Sequence, residues 1–300
     1  MSEWFLAIEG TQTGANLALF LAILAAVLHA LFGTLQKGRH DPWISRGAID
    51  ICYALMAAPF ALFVVPWPEP HMWPIFAIAW IIHTIYKVLQ AAAYTFGSFT
   101  VVYPVVRGSS PFFAVIAAFF VFGEALNAIQ IAGVTMLVLG IFGLALYNFI
   151  HIQIDRDTLV LATVFALCTG VTVAAYTTFD AYGIRATFNP FTFLAWFFLI
   201  DGFAIPAYAA LRIWKMETRP AFKPLFARGI MGAFIAYFSF GSILMATRLD
   251  NVGEAAVLRE TSVVFAAFFG WLILKEKVGP RRLILMVLIA LGAVIMEIGG

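Results

Sequence analysis

The chain has 300 residues, of which 63% are hydrophobic and 11% are charged, and its formal net charge is +2. Soluble proteins carry charges on about 25% of their residues, so this composition excludes an ordinary soluble domain, whose surface has to be wetted by water. The scattered basic residues form no pattern that could follow nucleic-acid phosphates. We therefore expect a protein embedded in a lipid bilayer, with no nucleic-acid partner.

Apolar runs long enough to cross a bilayer follow one another from the N-terminus. A crossing helix needs about 20 apolar residues, and the runs lack the period-two alternation of barrel strands. The sequence therefore predicts an all-α integral membrane protein with ten transmembrane helices, at 16–35, 48–65, 72–96, 99–122, 128–149, 159–182, 190–211, 226–247, 253–274 and 282–299. The connections between these runs are too short to hold a soluble domain.

The placement of lysine and arginine predicts the orientation. Most basic residues of the predicted loops lie on one side of the membrane, whereas Arg185 and Arg248 lie on the other. Short loops that are rich in Lys and Arg stay in the cytoplasm. The distribution therefore predicts a multi-pass protein of a bacterial inner membrane, with both termini on the periplasmic side.

Two stretches of the sequence resemble each other at an offset of 152 residues. Residues 107–124 read RGSSPFFAVIAAFFVFGE, and residues 259–276 read RETSVVFAAFFGWLILKE. The pattern divides the chain into two halves, 1–150 and 151–300, with five predicted spans each. Because five is odd, the second half enters the membrane with the opposite polarity. An inverted repeat of this kind is shared by many secondary transporters.

The third predicted span carries polar residues along one face. His83, Lys87, Gln90 and Tyr94 are spaced four, three and four residues apart, so they lie on one side of a helix. Ionisable groups inside a bilayer are costly and usually face a cavity or a partner. We interpret this face as the wall of a hydrated substrate cavity, with Lys87 in contact with an anion. Polar packing between helices is the alternative interpretation.

Other spans contribute further candidates. The sequence predicts additional cavity residues at Tyr103, Arg107, Ser110, Tyr176, Asp180, Arg259 and Ser262. It offers Asp201, Glu260 and His29 as groups that could couple transport to protons. Arg107 and Arg259 occupy matching positions in the two halves. They either contact the substrate or pair with carboxylates, since arginine stays charged and binds carboxylates with two parallel hydrogen bonds.

With ten spans, two five-helix halves and an aromatic-rich helix that ends in Gly123-Glu124, the chain resembles the drug/metabolite transporter superfamily, and in particular its EamA-type transporters. The resemblance extends from HALFGTLQK in the first span to the tenth span. It implies alternating access, with the substrate bound in a central cavity. It does not imply a single substrate, because the family carries amino acids, drugs and other metabolites. We expect an exporter of small metabolites such as amino acids or drug-like amphipathic compounds.

The sequence departs from the family pattern in two respects. Lys275-Glu276 stands where the first half has Gly-Glu. The charge distribution also places both termini outside the cytoplasm, whereas the family includes members with cytoplasmic termini. The second departure leaves the direction of transport open.

A secondary active transporter is therefore the leading hypothesis, and a channel or an intramembrane enzyme is the alternative. No nucleotide-binding loop, HExxH motif or paired-carboxylate motif occurs in the sequence. We accordingly expect no enzymatic activity, no cofactor and no metal. The expected partners are a small-molecule substrate and the lipid bilayer, and both a monomer and a homodimer stay open.

Overall fold

A computed structural model of the chain describes residues 2–36, 41–97, 99–151, 156–274 and 279–299, and every regular element in these ranges is a helix. In chain order the helices are α1 (Ser2–Ala7), α2 (Gln12–Gln36), α3 (Pro42–Phe63), α4 (Met72–Phe96), α5 (Phe99–Phe122), α6 (Ala128–His151), α7 (Arg156–Ala186), α8 (Pro190–Asp201), α9 (Ala204–Trp214), α10 (Phe222–Leu249), α11 (Val252–Glu260), α12 (Ser262–Leu274) and α13 (Pro280–Ile298).

Within the described ranges, eight helical segments are long and apolar enough to cross a membrane. They are α2 to α7, the pair α8–α9 taken together, and α10. The last helix, α13, holds a shorter apolar stretch, Leu283–Ile298. The prediction of an all-helical chain with several apolar spans is confirmed, whereas the predicted number of ten spans is not shown.

Two of the predicted spans are interrupted. The run at 190–211 is divided between α8 and α9 at Gly202 and Phe203, and the run at 253–274 is divided between α11 and α12 at Thr261. The hydroxyl of Thr261 donates to the carbonyl of Leu258 over 2.7 Å, which competes with the helical backbone hydrogen bonds. The end of the second repeat motif, Lys275-Glu276, lies outside the described residues.

Short polar side chains start several of the helices. Asp41 accepts hydrogen bonds from the backbone N–H groups at the start of α3, and Asn189 does the same for α8. The carboxamide of Asn127 likewise accepts from the backbone N–H groups of Ile129 and Gln130 at the start of α6. These caps satisfy donors that the first helical turn leaves free. The polar residues between the apolar runs therefore set where the helices begin.

Large apolar side chains cover the outside of the bundle. Phe63 is 84% exposed and Phe120 is 79% exposed, with many similar residues around them. A water-soluble surface rarely presents such extensive apolar area. The most extensive packing inside the bundle joins α6 to α13, α2 to α10, and α7 to both α4 and α5. The exterior therefore suits lipid, and the polar groups inside spans are turned inward.

Close contact between α3 and α8 depends on a glycine. A Cβ atom at Gly202 would lie 2.3 Å from Cβ of Ala54 and 2.8 Å from the carbonyl oxygen of Asp50. Backbones that approach so closely leave no room for a side chain, which is why helix interfaces in membranes favour small residues. The glycine brings the end of α8 against the middle of α3.

We predict that Gly202→Ala destabilises the protein by about 1–3 kcal/mol, because the added methyl group overpacks the α3–α8 interface. Thermal unfolding of the purified protein in detergent measures the change. Gly279→Ala is the matched control, since a Cβ atom at Gly279 meets no atom within 4 Å. Equal melting temperatures for the two variants would contradict the prediction.

Candidate functional site

A cavity with a water-accessible interior of about 90 Å³ lies in the centre of the bundle. Helices α2, α3, α4 and α5 of the first half line it together with α7, α8, α10 and α11 of the second. A single buried water needs only about 10–15 Å³ measured in this way. The cavity can therefore hold several waters or a small solute, and both halves of the chain form its wall.

The cavity extends from the centre towards one end of the bundle. Gly33, near the end of α2, and Tyr94, near the end of α4, belong to its lining. Arg46 and Tyr103, near the starts of α3 and α5, also line it. These four helix termini lie at the same end, because consecutive helices run antiparallel.

Hydrogen bonds join the loops at the opposite end. The carboxylate of Glu124, just after α5, accepts from the backbone N–H groups of Val252 and Gly253 over 2.9 Å each. Arg185 at the end of α7 donates to the carbonyl of Asp250 over 2.7 Å. A carboxylate at a helix N-terminus is stabilised by the free N–H groups there. The contacts of Glu124 fasten the first half to the second at this end, and that of Arg185 joins two loops of the second half.

A second carboxylate reinforces the same end. Glu69, in the loop between α3 and α4, accepts from the N–H of Phe188 over 2.9 Å and from the hydroxyl of Thr187. Burial acts to raise the pKa of Glu69, but these hydrogen bonds hold it below its ordinary value. The carboxylate is therefore ionised and able to keep both contacts at neutral pH.

A balanced ion network lies beside the cavity. Nζ of Lys87 lies 2.7 Å from Oδ2 of Asp50 and 2.8 Å from Oδ2 of Asp201. Nε of Arg46 lies 2.7 Å from Oδ1 of Asp50, and the hydroxyl of Tyr53 donates to Asp201 over 2.6 Å. Two cations therefore face two carboxylates. Buried charges persist only when they are paired in this way.

The interruption after α8 contributes to this network. Nζ of Lys87 also donates to the backbone carbonyl of Asp201, over 3.1 Å. Asp201 is the last residue of α8, so its carbonyl lies where the helical hydrogen bonds end. Pro206, in the first turn of α9, has no N–H to continue the ladder. The ammonium group of Lys87 thus binds both the side chain and the backbone of Asp201.

A second network contains two arginines and one glutamate. Nη1 of Arg107 lies 3.1 Å from Oε1 of Glu260, and Nη2 of Arg259 lies 3.4 Å from the same oxygen. Arg107 also donates to Nε2 of His29, which requires a neutral imidazole with its lone pair free. Arg259 donates to the hydroxyl of Thr177 over 3.4 Å. Here two cations share one carboxylate.

Aromatic rings occupy the wall between the two networks. Nε2 of His83 lies 2.7 Å from Oδ2 of Asp180. The ring of His83 lies 4.4 Å from that of Tyr176 and 4.8 Å from that of Phe197, measured between centroids. Phe240 contacts the same group of rings. The cavity wall is therefore apolar and aromatic between two polar ends.

The sequence profile of the EamA-like transporter family matches residues 16–146 and 160–298, so it matches the chain twice and covers most of it. The chain belongs to the EamA-like transporter family. One solved crystal structure with 18% identical residues superimposes with a TM-score of 0.72, over 96% of this chain and 99% of the other. At that identity the likeness concerns the fold alone. No curated protein sequence matches the chain.

The structure brings most of the predicted site residues to the cavity. Those that line it are His29, His83, Gln90, Tyr94, Tyr103, Arg107, Tyr176, Asp201 and Arg259. A second group lies behind the lining, in contact with it or buried nearby, and consists of Lys87, Ser110, Asp180, Glu260 and Ser262. Family membership confirms the resemblance that the sequence indicated. The roles of the individual residues stay predictions.

Sequence reasoning missed the contribution of α3. The predicted span at 48–65 begins after Arg46, and the sequence patterns single out neither Asp50 nor Tyr53. Arg46 and Asp50 stand four residues apart, the spacing of an ion pair on one helical face. That spacing is the sequence signal that indicates the Arg46–Asp50 ion pair. An acidic residue such as Asp50 within an apolar span also indicates that a basic partner lies nearby. Among the described residues, no group of His, Cys, Asp and Glu could hold a metal ion.

We predict that Lys87→Ala destabilises the fold by about 3–5 kcal/mol, because it removes the ammonium group shared by two buried carboxylates. Thermal unfolding in detergent measures the loss. The double variant Lys87→Met/Asp201→Asn should recover most of it, since Asp50 keeps Arg46 as its partner. The exposed Lys215→Ala is the control. An unchanged melting temperature for Lys87→Ala would show that Lys87 does not stabilise the bundle.

Proposed function

We propose that the protein is a secondary active transporter that moves a small metabolite across the membrane by alternating access, with the central cavity as its substrate site. The observation that carries this proposal is a cavity formed by both halves of the chain that, among the described residues, extends towards one end of the bundle only. Hydrogen bonds between loops fasten the other end. A carrier caught in one of its two states has this form.

A two-fold relation between the halves supports the proposal. A Cβ atom at Gly140 would lie 2.7 Å from Cγ1 of Ile289, and one at Gly292 would lie 2.6 Å from the backbone nitrogen of Leu137. Gly140 matches Gly292 at the 152-residue offset, and Leu137 matches Ile289. Reciprocal contacts between equivalent residues are typical of a two-fold axis.

The packing of the helices supports the same two-fold relation between the halves. The first helix of the first half, α2, packs against α10, which is the third span of the second half. The first helix of the second half, α7, packs against α4, which is the third span of the first half. An arrangement in which each half holds the other in an equivalent way can exchange its two open ends by exchanging the conformations of the halves.

In this proposal α11 and α12 together form the ninth span and α13 the tenth, which gives five spans to each half, at 1–150 and 151–300. The second half then has inverted polarity. The cavity extends towards the end of the bundle that carries the Lys- and Arg-rich loops, which the charge distribution assigns to the cytoplasm. The termini would be periplasmic in a bacterial inner membrane. A cavity loaded from the cytoplasm supports export.

Asp201, Glu260 and His29 are the candidates for coupling to protons. Each already has an ionic or hydrogen-bonded partner across the bundle. A change of protonation at Asp201 or Glu260 would alter a contact between the halves, and one at His29 would alter the surroundings of Arg107, which makes such a contact. A channel would not need the two-fold relation, and an intramembrane enzyme would need converging acid and base groups aimed at one reacting atom.

We predict that the purified protein in proteoliposomes mediates saturable flux and counterflow of its substrate. Vesicles preloaded with an unlabelled solute take up the labelled solute against its gradient only when a carrier exchanges the two. The panel consists of labelled amino acids and of amphipathic carboxylates and amines. Linear, non-saturating flux would indicate a channel, and the absence of any counterflow across the panel would contradict the proposal. Protein-free vesicles are the control.

A further inference from the structure

We propose that the substrate is a small organic anion, a carboxylate that carries an aromatic ring, and that Arg107 and Arg259 bind this carboxylate in exchange for the side chain of Glu260. The proposal rests on the transport function proposed above and names the class of solute for the same cavity. Four lines of observation support it: the charge balance, the free donors, the repeat and the rings.

The charge balance differs between the two polar ends of the cavity. At one end Arg46 and Lys87 face Asp50 and Asp201, so the charges cancel. At the other end two guanidinium groups share one carboxylate. Arginine remains charged at any pH at which proteins fold. Counted by direct ion pairs, these arginines therefore exceed their carboxylates by one, since the nearby Asp180 pairs with His83 instead, and an anion would balance the difference.

The arginines also have donors to spare. Both belong to the cavity lining, and Arg107 is 3% exposed and Arg259 4% exposed. In the described part of the chain, Nε of Arg107 and Nε of Arg259 have no hydrogen-bond acceptor. A guanidinium group carries five N–H donors in a planar fork. A substrate carboxylate would supply the acceptors that one glutamate does not.

The repeat indicates that Glu260 is an addition to a symmetric pair of arginines. Arg107 matches Arg259 at the 152-residue offset, but the residue that matches Glu260 is Gly108. The first half thus offers a cation without an acid beside it. Glu260 ends α11, and the turn at Thr261 follows at once. A carboxylate at a helix interruption can leave the arginines by a local movement, without shifting a continuous helix.

The rings beside the arginines fit an aromatic solute. The guanidinium of Arg107 lies 5.4 Å from the ring centre of Tyr103, and that of Arg259 lies 6.0 Å from the ring centre of Tyr176. Phe197 and Phe240 extend the same wall, with their centroids 5.2 Å apart. A carboxylate on the arginines would place its ring against these faces, where offset and edge contacts are favourable. An organic cation in the same place would be repelled by the two positively charged arginines.

The test compares two probes that differ in charge and share a ring. Binding of 3-phenylpropanoate and of 3-phenylpropylammonium to the full-length protein in detergent is measured by isothermal titration calorimetry at neutral pH. We expect saturable binding of the carboxylate and binding at least about tenfold weaker for the amine, as expected when a charge-assisted pair is replaced by repulsion. Tighter binding of the amine, or binding of neither probe, would overturn the proposal.

Variants test the roles of the three charged residues. Arg107→Gln and Arg259→Gln should each weaken carboxylate binding about tenfold or more, because each loses a charged donor. Glu260→Gln should tighten it about tenfold, because the internal competitor loses its charge. Arg212→Gln, which alters a partly exposed arginine that pairs with Asp41 and does not line the cavity, is the matched control and should bind as the wild type does.

Each result has one reading. Weaker or unchanged binding by Glu260→Gln would overturn the exchange between Glu260 and the substrate. If an arginine variant fails to fold, two results still test the proposal. The comparison of the two probes on the wild-type protein tests the anionic substrate, and the Glu260→Gln variant tests the exchange. Counterflow of an amine without carboxylate binding would contradict the proposal of an anionic substrate and would be consistent with the proposed transport function. Carboxylate binding with no counterflow of any solute would support the anion-binding site and would contradict the proposed transport function.

Discussion

The need to pair every charge inside the hydrocarbon region governs this structure. An unpaired ion in that environment costs several kcal/mol or more, whereas a paired and hydrogen-bonded one can be tolerated. Lys87, Asp50 and Asp201 satisfy this requirement only when α3, α4 and α8 lie side by side. Arg107 and Glu260 impose the same condition on α5 and α11. The ion pairs therefore determine which helices are neighbours, while the apolar exterior determines only that the bundle lies in lipid.

Both networks also connect the two halves of the chain. Lys87 belongs to the first half and Asp201 to the second, and the same holds for Arg107 and Glu260. Contacts between the halves are the ones that alternating access has to rearrange or carry along. Charged groups at such a boundary can have two discrete sets of partners, which makes a bundle switch between states instead of deforming continuously. The polar core thus joins the stability of the fold to the movement proposed for it.

The sequence predicted the features that depend on local pattern and missed those that depend on tertiary contact. Apolar runs located the helices, and the spacing of His83, Lys87, Gln90 and Tyr94 placed most of one cavity wall. The offset of 152 residues identified Arg107 and Arg259 as equivalents. The partners of these groups could not be predicted, because Asp50 and Lys87 meet only when α3 packs on α4. The interruption at Thr261 was hidden as well, since the sequence from 254 to 269 contains no proline or glycine that would mark a break in the helix.

The two networks differ in how easily they can be taken apart, and this difference suits a carrier. Separating Lys87 from Asp50 and Asp201 would leave buried carboxylates without enough positive charge, so in the proposed cycle this group has to move as a unit. Glu260 is held by longer contacts and is shared between two arginines. An entering anion could replace it while the arginines kept a negative partner throughout. The arginines are then never left without a negative partner, whereas the displaced carboxylate of Glu260 has to find water or another donor. That need supplies a reason for the halves to rearrange when a substrate binds.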